Sequence, residues 1–170
     1  PSDVPIKILF LVDTSGSNCT QNDVPPNCDS SGTDPDKTYR LGLIKNFVSE
    51  HQTATNLSYG IITFQKTAAM SLTGDTFTRD QAALVKAYDA FAKQKDTGAT
   101  PYRAAIALAS DVITADKAAS SEPARYFMVL ISDGMPTDYG DPISEAEIDT
   151  DVKNLRSLSP EATLSAIYYN

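Results

Sequence analysis

Five consecutive residues near the start of the chain, Asp13 to Ser17, place one carboxylate and two hydroxyls in a single short turn. They directly follow the apolar run from Ile8 to Val12, whose consecutive hydrophobic residues predict a buried strand. An Asp and a Ser two residues apart at a strand end can offer oxygen ligands to a hard divalent cation such as Mg²⁺. The same residues also suit an ordinary turn, because Gly16 tolerates unusual backbone conformations and Ser or Asp can cap a helix. This segment alone therefore leaves both a metal site and a plain turn open.

Two more polar residues are predicted to lie at the same edge of the molecule. Asp133 follows a second apolar run, with Ser132 between them, and Thr100 precedes Pro101 at the start of a predicted helix. In an open parallel sheet, ligands bind beyond the carboxyl ends of the strands, at the point where the strand order reverses. We expect that point to lie between the first and fourth strands, which would bring Asp13, Asp133 and Thr100 together.

Strands and helices alternate along the sequence, which predicts an α/β, doubly wound fold with a mainly parallel central sheet flanked by helices. The predicted strands cover Ile6–Val12, Leu57–Phe64, Ala68–Leu72, Tyr126–Ile131 and Thr163–Tyr169. The predicted helices cover Tyr39–Glu50 and begin at a Thr78/Gln81 capping box, at Thr100-Pro101 and at a Ser144/Glu147 capping box. No repeat or domain boundary is visible, so residues 1–170 are expected to form one domain.

The composition excludes several classes of function. The net charge of −8 opposes binding to phosphate backbones, so nucleic acid is not an expected partner. No apolar stretch is long enough to predict a transmembrane segment. No signal-peptide pattern follows Pro1, so the chain is expected to be either cytosolic or already processed.

Cys19 and Cys28 are the only cysteines, and they lie in an irregular stretch (residues 18–36) rich in Asn, Asp, Pro and Ser. A local disulfide between them would stabilise this long loop by about 2–3 kcal/mol. That pairing predicts an oxidising location: the periplasm, the cell surface or the exterior. The alternative is a pair of free thiols in the cytosol.

Taken together, the polar motifs resemble a known family. Asp13-x-Ser15-x-Ser17, Thr100 in the Gly-Ala-Thr-Pro sequence and Asp133-Gly134 after a buried strand resemble the metal-ion-dependent adhesion site (MIDAS) of von Willebrand factor type A (vWA) domains. Asp34-Pro35-Asp36, followed by an arginine and an amphipathic helix, resembles the start of the first helix in bacterial members. The resemblance covers nearly the whole chain and implies the Rossmann-like vWA fold.

The resemblance also implies a role for each matching residue. Ser15 and Ser17 would bind the ion directly through their hydroxyls, and Thr100 would bind directly or through water. Asp13 and Asp133 would act mainly through coordinated waters. The ion would be Mg²⁺, with Mn²⁺ or Ca²⁺ as alternatives, and an open coordination position would accept an acidic group of a partner.

No catalytic set is visible, and the chain is not expected to be an enzyme. The single histidine, His51, falls at a predicted helix end, where it is expected to stabilise the terminus. Glycine-rich phosphate-binding patterns are also missing. The favoured function is a metal-dependent adhesion or ligand-binding module outside the cytoplasm, whose protein or glycan partner offers a carboxylate. The alternatives are an assembly module that the metal mainly stabilises and an intracellular partner of a metal chelatase or ATPase.

Three further expectations concern the surroundings of the metal and the extent of the fold. The predicted ligand rim consists of the cysteine loop and Tyr102, Met135 and Tyr139. The loop acids Asp29, Asp34 and Asp36 are expected to be solvated rather than to form a second calcium site. Family members usually continue beyond the fifth strand, so the C-terminal part of the fold is expected to be incomplete.

Overall fold

The computed structural model describes residues 4–19, 32–120 and 122–169. Within these residues the strands are β1 (Ile6–Asp13), β2 (Leu57–Gln65), β3 (Ala68–Ser71), β4 (Arg125–Ser132) and β5 (Thr163–Tyr168). The α-helices are α1 (Thr38–Glu50), α2 (Gln81–Lys93), α3 (Tyr102–Ala119) and α4 (Glu145–Ser157). A short 3-10 turn covers Gly16–Asn18. The predicted strands agree with the observed ones to within one residue at each end.

The strands form one sheet in the order β3-β2-β1-β4-β5. β1 lies at its centre and pairs in parallel with β2 and with β4, while β5 extends the parallel sheet from β4. Only the short β3 runs antiparallel, against β2. The chain leaves β1 for one side of the sheet and returns to its other side at β4, so the strand order reverses between these two strands. The predicted doubly wound α/β fold is confirmed, and the ligand-binding crevice of such folds falls at the carboxyl ends of β1 and β4.

The sheet is buried on both faces, which explains the consecutive apolar residues of β1. Leu9 and Leu11 pack in a cluster with residues of α3 and α4, whereas Phe10 and Val12 pack in a second cluster with residues of α1 and α2. All four side chains are at most 1% exposed. Two apolar layers thus hold β1 rigidly and fix the direction in which the chain leaves it.

Two helix starts bear on the predictions. Asp80 caps α2, and its carboxylate accepts a hydrogen bond from the backbone N–H of Ala82. The predicted cap at Thr78 is therefore wrong, since its hydroxyl accepts from the N–H of Asp80 and Thr78 lies two residues before the observed cap. Ser144 does cap α4 by accepting from the N–H of Glu147, as predicted.

His51 follows the last residue of α1. Its ring stacks on Phe47, with 4.4 Å between ring centroids, and its Nδ1 lies 2.8 Å from the Phe47 carbonyl oxygen. This confirms its predicted role at the helix terminus. No helix in the described part of the chain is long and apolar enough to cross a membrane.

Candidate metal centre

The loop that follows β1 and the segment that precedes α3 are joined by main-chain hydrogen bonds. The N–H of Gly16 donates to the carbonyl of Gly98, and the N–H of Thr97 donates to the carbonyl of Thr14, both at 2.9 Å. These bonds use no side chain. They place Thr100 beside the Asp13–Ser17 turn.

Asp13 is the last residue of β1 and is fully buried. Its Oδ1 accepts from the N–H of Ser15 at 2.7 Å, and its Oδ2 accepts from the hydroxyl of Ser132 at 2.5 Å. Burial raises the pKa of Asp13 to about 6, although both serines lower the pKa, and the negative charge of Asp133 raises it slightly further. The hydrogen bonds thus stabilise this carboxylate only in part, and a nearby cation would stabilise its charged form.

A chain of polar contacts links the turn that carries Ser15 and Ser17, the serine turn, to Asp133. The hydroxyls of Ser15 and Ser17 are 3.0 Å apart, and Ser17 donates to Asp133 Oδ1 at 2.8 Å. Asn18 donates to the same oxygen at 3.5 Å. The second oxygen, Asp133 Oδ2, is buried without a hydrogen-bond partner. A buried carboxylate oxygen without a partner is energetically unfavourable, and a cation or a hydrogen-bond donor would remove this cost.

Thr100 completes the group of predicted ligands. It is 6% exposed, its N–H donates to the hydroxyl of Thr137, and its carbonyl accepts from the N–H of Thr137. A side chain on Gly134 would begin 3.2 Å from Thr100 Oγ1, so the glycine is what permits this close approach. The structure therefore brings Asp13, Ser15, Ser17, Asp133 and Thr100 to one edge of the sheet.

The charge of this centre is unbalanced. Neither Asp13 nor Asp133 forms a salt bridge with any basic residue that the structure describes. Nor do the described residues contain a cluster of three or more His, Cys, Asp or Glu suited to a metal. The donors here are instead two carboxylates and three hydroxyls, all hard oxygen atoms. Such a set fits Mg²⁺, Mn²⁺ or Ca²⁺ better than a softer metal.

Four buried charged residues lie directly behind the centre. Arg40 binds Asp34 and Asp96, each at 2.8 Å, and Lys37 Nζ lies 2.9 Å from Asp96 Oδ1. Each of the four side chains is at most 1% exposed. We refer to Asp34, Lys37, Arg40 and Asp96 as the buried ion cluster.

The ion cluster corrects the prediction that Asp34 is a solvated loop acid. Its carboxylate is enclosed by Arg40 and by the first N–H groups of α1, which no local pattern of residues reveals. Asp36 is exposed as predicted and accepts from the N–H of Thr38. Asp29 lies outside the described residues. Ser132 was also missed, although a polar residue that ends an apolar strand just before Asp133 is a usable signal.

The predicted ligand rim is only partly exposed. Met135 is 69% exposed. Tyr102 is half-buried, and its hydroxyl donates to the carbonyl of Gly134 at 2.7 Å. Tyr139 is 2% exposed, donates to Asp151 and lies beneath the guanidinium of Arg103. The prediction that Tyr139 lines the rim is wrong, because these two contacts hold its ring inside the protein.

Cys19 is fully buried, and the described residues include no free cysteine. Its predicted partner, Cys28, lies outside the described residues, as does much of the predicted rim loop. The Cys19–Cys28 disulfide therefore stays a prediction.

Comparison with known proteins identifies the type of domain. Residues 7–159 match the family model of the von Willebrand factor type A domain. None of the curated proteins searched matches the chain significantly.

Several solved structures share the fold. The pilus adhesin SpaC from Lactobacillus rhamnosus GG is 21% identical, with a TM-score of 0.60 over 81% of this chain, which spans only 16% of SpaC. The SpRpn10 VWA domain is 14% identical, with a TM-score of 0.68, and the match covers 97% of this chain and 75% of that one. The manganese-loaded TRAP protein of Plasmodium vivax is 17% identical, with a TM-score of 0.61, and the match covers 98% and 57%.

Proposed function

The chain belongs to the von Willebrand factor type A domain family, and on this premise we propose that it is a divalent-metal-dependent adhesion or ligand-binding module. The observation that carries the proposal is the pair of buried carboxylates, Asp13 and Asp133, joined through serine hydroxyls. No basic side chain that the structure describes neutralises either carboxylate. One of their four oxygens, Asp133 Oδ2, has no hydrogen-bond partner. A divalent cation would satisfy both the charge and this oxygen.

In this proposal Ser15 and Ser17 would bind the ion directly through their hydroxyls, and Thr100 would bind it directly or through water. Asp13 and Asp133 would act mainly through coordinated waters. When bound, the ion would supply positive charge at this edge of the sheet. The net charge of −8 would repel an acidic partner, so recognition of a carboxylate would depend on the metal.

Two likenesses support this proposal. The likeness to SpaC, a pilus adhesin, supports an adhesive role on the cell surface, and the likeness to the manganese-loaded TRAP protein supports binding of a divalent metal. We further propose that Cys19 and Cys28 form the disulfide that an oxidising location permits. The mass of the unreduced protein tests this pairing directly, because a disulfide lowers it by two hydrogens. Detection of two free thiols would favour the intracellular alternative.

We propose a binding role without catalysis. The sole histidine, His51, is engaged with Phe47 at the end of α1 and is not among the residues that surround Asp13. The partner is a protein or a glycan that offers a carboxylate.

Binding of Mn²⁺ tests the first half of the proposal. Titration followed by electron paramagnetic resonance should show one site in the wild-type domain and none in Asp13→Ala. The relaxation of water protons by bound Mn²⁺ then tests for an open coordination position. A peptide with a single glutamate should lower this relaxation by displacing water, whereas the same peptide with glutamine should not. Equal effects of the two peptides would contradict carboxylate recognition.

A second candidate is a module in which the ion chiefly stabilises the fold, and the complete burial of Asp13 favours it. An ion that binds only the native state raises stability in either case. The two candidates differ in the peptide experiment, because a purely structural ion would leave the relaxation unchanged by either peptide.

A further inference from the structure

Arg40 occupies an unusual place for a fully buried arginine. It lies in the first turn of α1, and its Nη1 donates to the main-chain carbonyl of Asp13 at 2.7 Å. The guanidinium is meanwhile held by the carboxylates of Asp34 and Asp96. One side chain thus connects the end of β1 with the start of α1 and with the segment between α2 and α3.

We propose that Arg40 is a positioning residue of the metal centre, which fixes the peptide after Asp13 and makes metal binding depend on the intact buried ion cluster. This inference rests on the metal binding proposed above. Arg40 itself contacts no predicted ligand atom.

The first step of the argument is the geometry of one peptide group. The Asp13 carbonyl and the Thr14 N–H belong to the same planar unit, so fixing one fixes the other. Arg40 binds the carbonyl, and the N–H donates to the carbonyl of Phe64 at 2.9 Å. The next N–H, that of Ser15, can then reach Asp13 Oδ1 at 2.7 Å. Arg40 therefore helps to set the orientation of both the carboxylate and the serine turn.

The second step concerns the number of donors. The guanidinium makes five hydrogen bonds: two to the Asp34 carboxylate and carbonyl, two to the Asp96 carboxylate and one to the Asp13 carbonyl. A lysine offers only three donors on a single flexible nitrogen and cannot reproduce this planar arrangement. The hydrogen bonds and the negative charge of Asp96 raise the pKa of Arg40 despite the opposing effect of its burial, so the group stays charged.

The third step is electrostatic. A lone arginine next to a cation site would repel the ion. Here Asp34 and Asp96 balance the charges of Arg40 and Lys37, so the buried ion cluster is neutral as a whole. Arg40 can therefore organise the centre through hydrogen bonds without weakening the attraction of Asp13 and Asp133 for a cation.

The fourth step is the continuity of the segment that carries Asp96. The next residue, Thr97, donates to the carbonyl of Thr14, and Gly98 accepts from Gly16. The buried ion cluster thus holds the serine turn through two connections. Arg40 binds the carbonyl of Asp13, and Asp96 anchors the segment of Thr97 and Gly98 that is hydrogen-bonded to the turn. Loss of the guanidinium should loosen both attachments together.

Arg40→Lys is the direct test, measured as Mn²⁺ affinity by electron paramagnetic resonance. We expect affinity to fall by at least tenfold. Ile44→Val is the matched control, because Ile44 is also fully buried, lies one turn further along α1 and packs in the apolar core. It should change Mn²⁺ affinity by less than twofold. Unchanged affinity in Arg40→Lys, or an equal loss in Ile44→Val, would overturn the inference.

A second measurement uses the wild-type chain and does not depend on the variant folding. If an intact ion cluster favours metal binding, metal binding must favour the intact cluster to the same degree. Saturating Mg²⁺ should slow hydrogen exchange of Arg40 Nε–H more than that of the Leu155 amide, which lies in α4. Equal slowing at the two positions would show only global stabilisation and overturn the inference.

The outcomes separate this inference from the proposed function. If the wild-type domain does not bind Mn²⁺, both the proposed function and the positioning role of Arg40 are wrong. If the wild-type domain binds Mn²⁺ and Arg40→Lys binds it equally well, only the positioning role is wrong.

Discussion

The hydroxyl of Ser17 donates to Oδ1 of Asp133 across 2.8 Å, although the two residues are 116 positions apart in the sequence. This contact joins the loops that follow the first and fourth strands. The donor atoms are therefore assembled by the fold itself. A site preorganised in this way binds its ligand with less loss of conformational entropy than one that must first be ordered.

Ser17→Ala should weaken Mg²⁺ binding by tenfold or more, because it removes a predicted ligand and the contact that holds Asp133. A hydrogen bond to a charged group contributes about 1.5–3 kcal/mol, and 1.4 kcal/mol corresponds to tenfold in affinity. Isothermal titration calorimetry measures the change. Ser49→Ala, at an exposed position on α1, is the control and should bind as the wild type does. Equal affinities for all three proteins would exclude Ser17 from the site.

Asp13→Asn should abolish metal binding and yet stabilise the domain in the presence of a chelator. Burial raises the pKa of Asp13 from 3.8, the value of an exposed aspartate, to about 6, so the folded chain holds the proton more tightly. The contribution of this carboxyl to stability therefore declines as the pH rises from about 4 to about 6 and is lowest above that range. A shift of this size corresponds to at most about 3 kcal/mol at pH 7.

Urea unfolding at pH 4 and pH 7 with chelator checks this prediction. The advantage of Asp13→Asn over the wild type should grow between the two pH values. Asp111→Asn, at an exposed position on α3, should show no such growth. A variant less stable than the wild type at pH 7 would mean that the carboxylate is better stabilised than its surroundings suggest.

Metal itself should raise the melting temperature of the wild-type domain. At a free Mg²⁺ concentration 100 times the Kd, mass action adds about 2.7 kcal/mol. Excess chelator should reverse the shift completely. Asp13→Asn should melt at the same temperature with Mg²⁺ and with chelator. Differential scanning calorimetry follows all three cases.

Gly134→Ala should weaken metal binding with little effect on folding. The new Cβ would lie 3.2 Å from Thr100 Oγ1, closer than most such contacts, so the hydroxyl must move. Gly42→Ala provides the contrast, because no atom lies within 4 Å of its Cβ position in α1. That change should stabilise the helix by about 0.5–1 kcal/mol and leave metal affinity unaltered. Normal Mg²⁺ affinity in Gly134→Ala would show that Thr100 is not a ligand.

Asp96→Asn should destabilise the domain by about 3–5 kcal/mol, because it leaves the cations of Lys37 and Arg40 buried with one carboxylate between them. Denaturant unfolding measures the loss. Asp89→Asn, at an exposed position on α2, should cost less than about 0.5 kcal/mol. Loss of similar size in both variants would contradict the importance of the ion cluster.

The strands of the sheet could be predicted from the sequence because local runs of apolar residues mark them. The apolar runs that became β1 and β4 are long, are rich in β-branched and large side chains, and end in polar residues. General rules of α/β folds then place Asp13 and Asp133 at the same edge. The assembly of the candidate site follows from those two steps.

The buried ion cluster could not be predicted, since charged residues are usually exposed and their partners here are distant. Arg40 and Asp96 are 56 positions apart, and although Arg40 lies near the start of the predicted amphipathic helix, nothing in the sequence pairs it with Asp96. The prediction that Tyr139 lines the ligand rim was wrong for a related reason. An aromatic residue in a polar loop suggests an exposed ring, whereas its contacts with Arg103 and Asp151 enclose it.

The main-chain bonds between the turn after β1 and the segment before α3 have a practical consequence. Since Gly16, Gly98, Thr97 and Thr14 are joined by backbone atoms alone, these two hydrogen bonds do not themselves require any particular side chain. Exposed positions such as Met135 can therefore be randomised in a display library while these bonds persist. The domain is suited to directed evolution of new binding specificities around a fixed anchoring point.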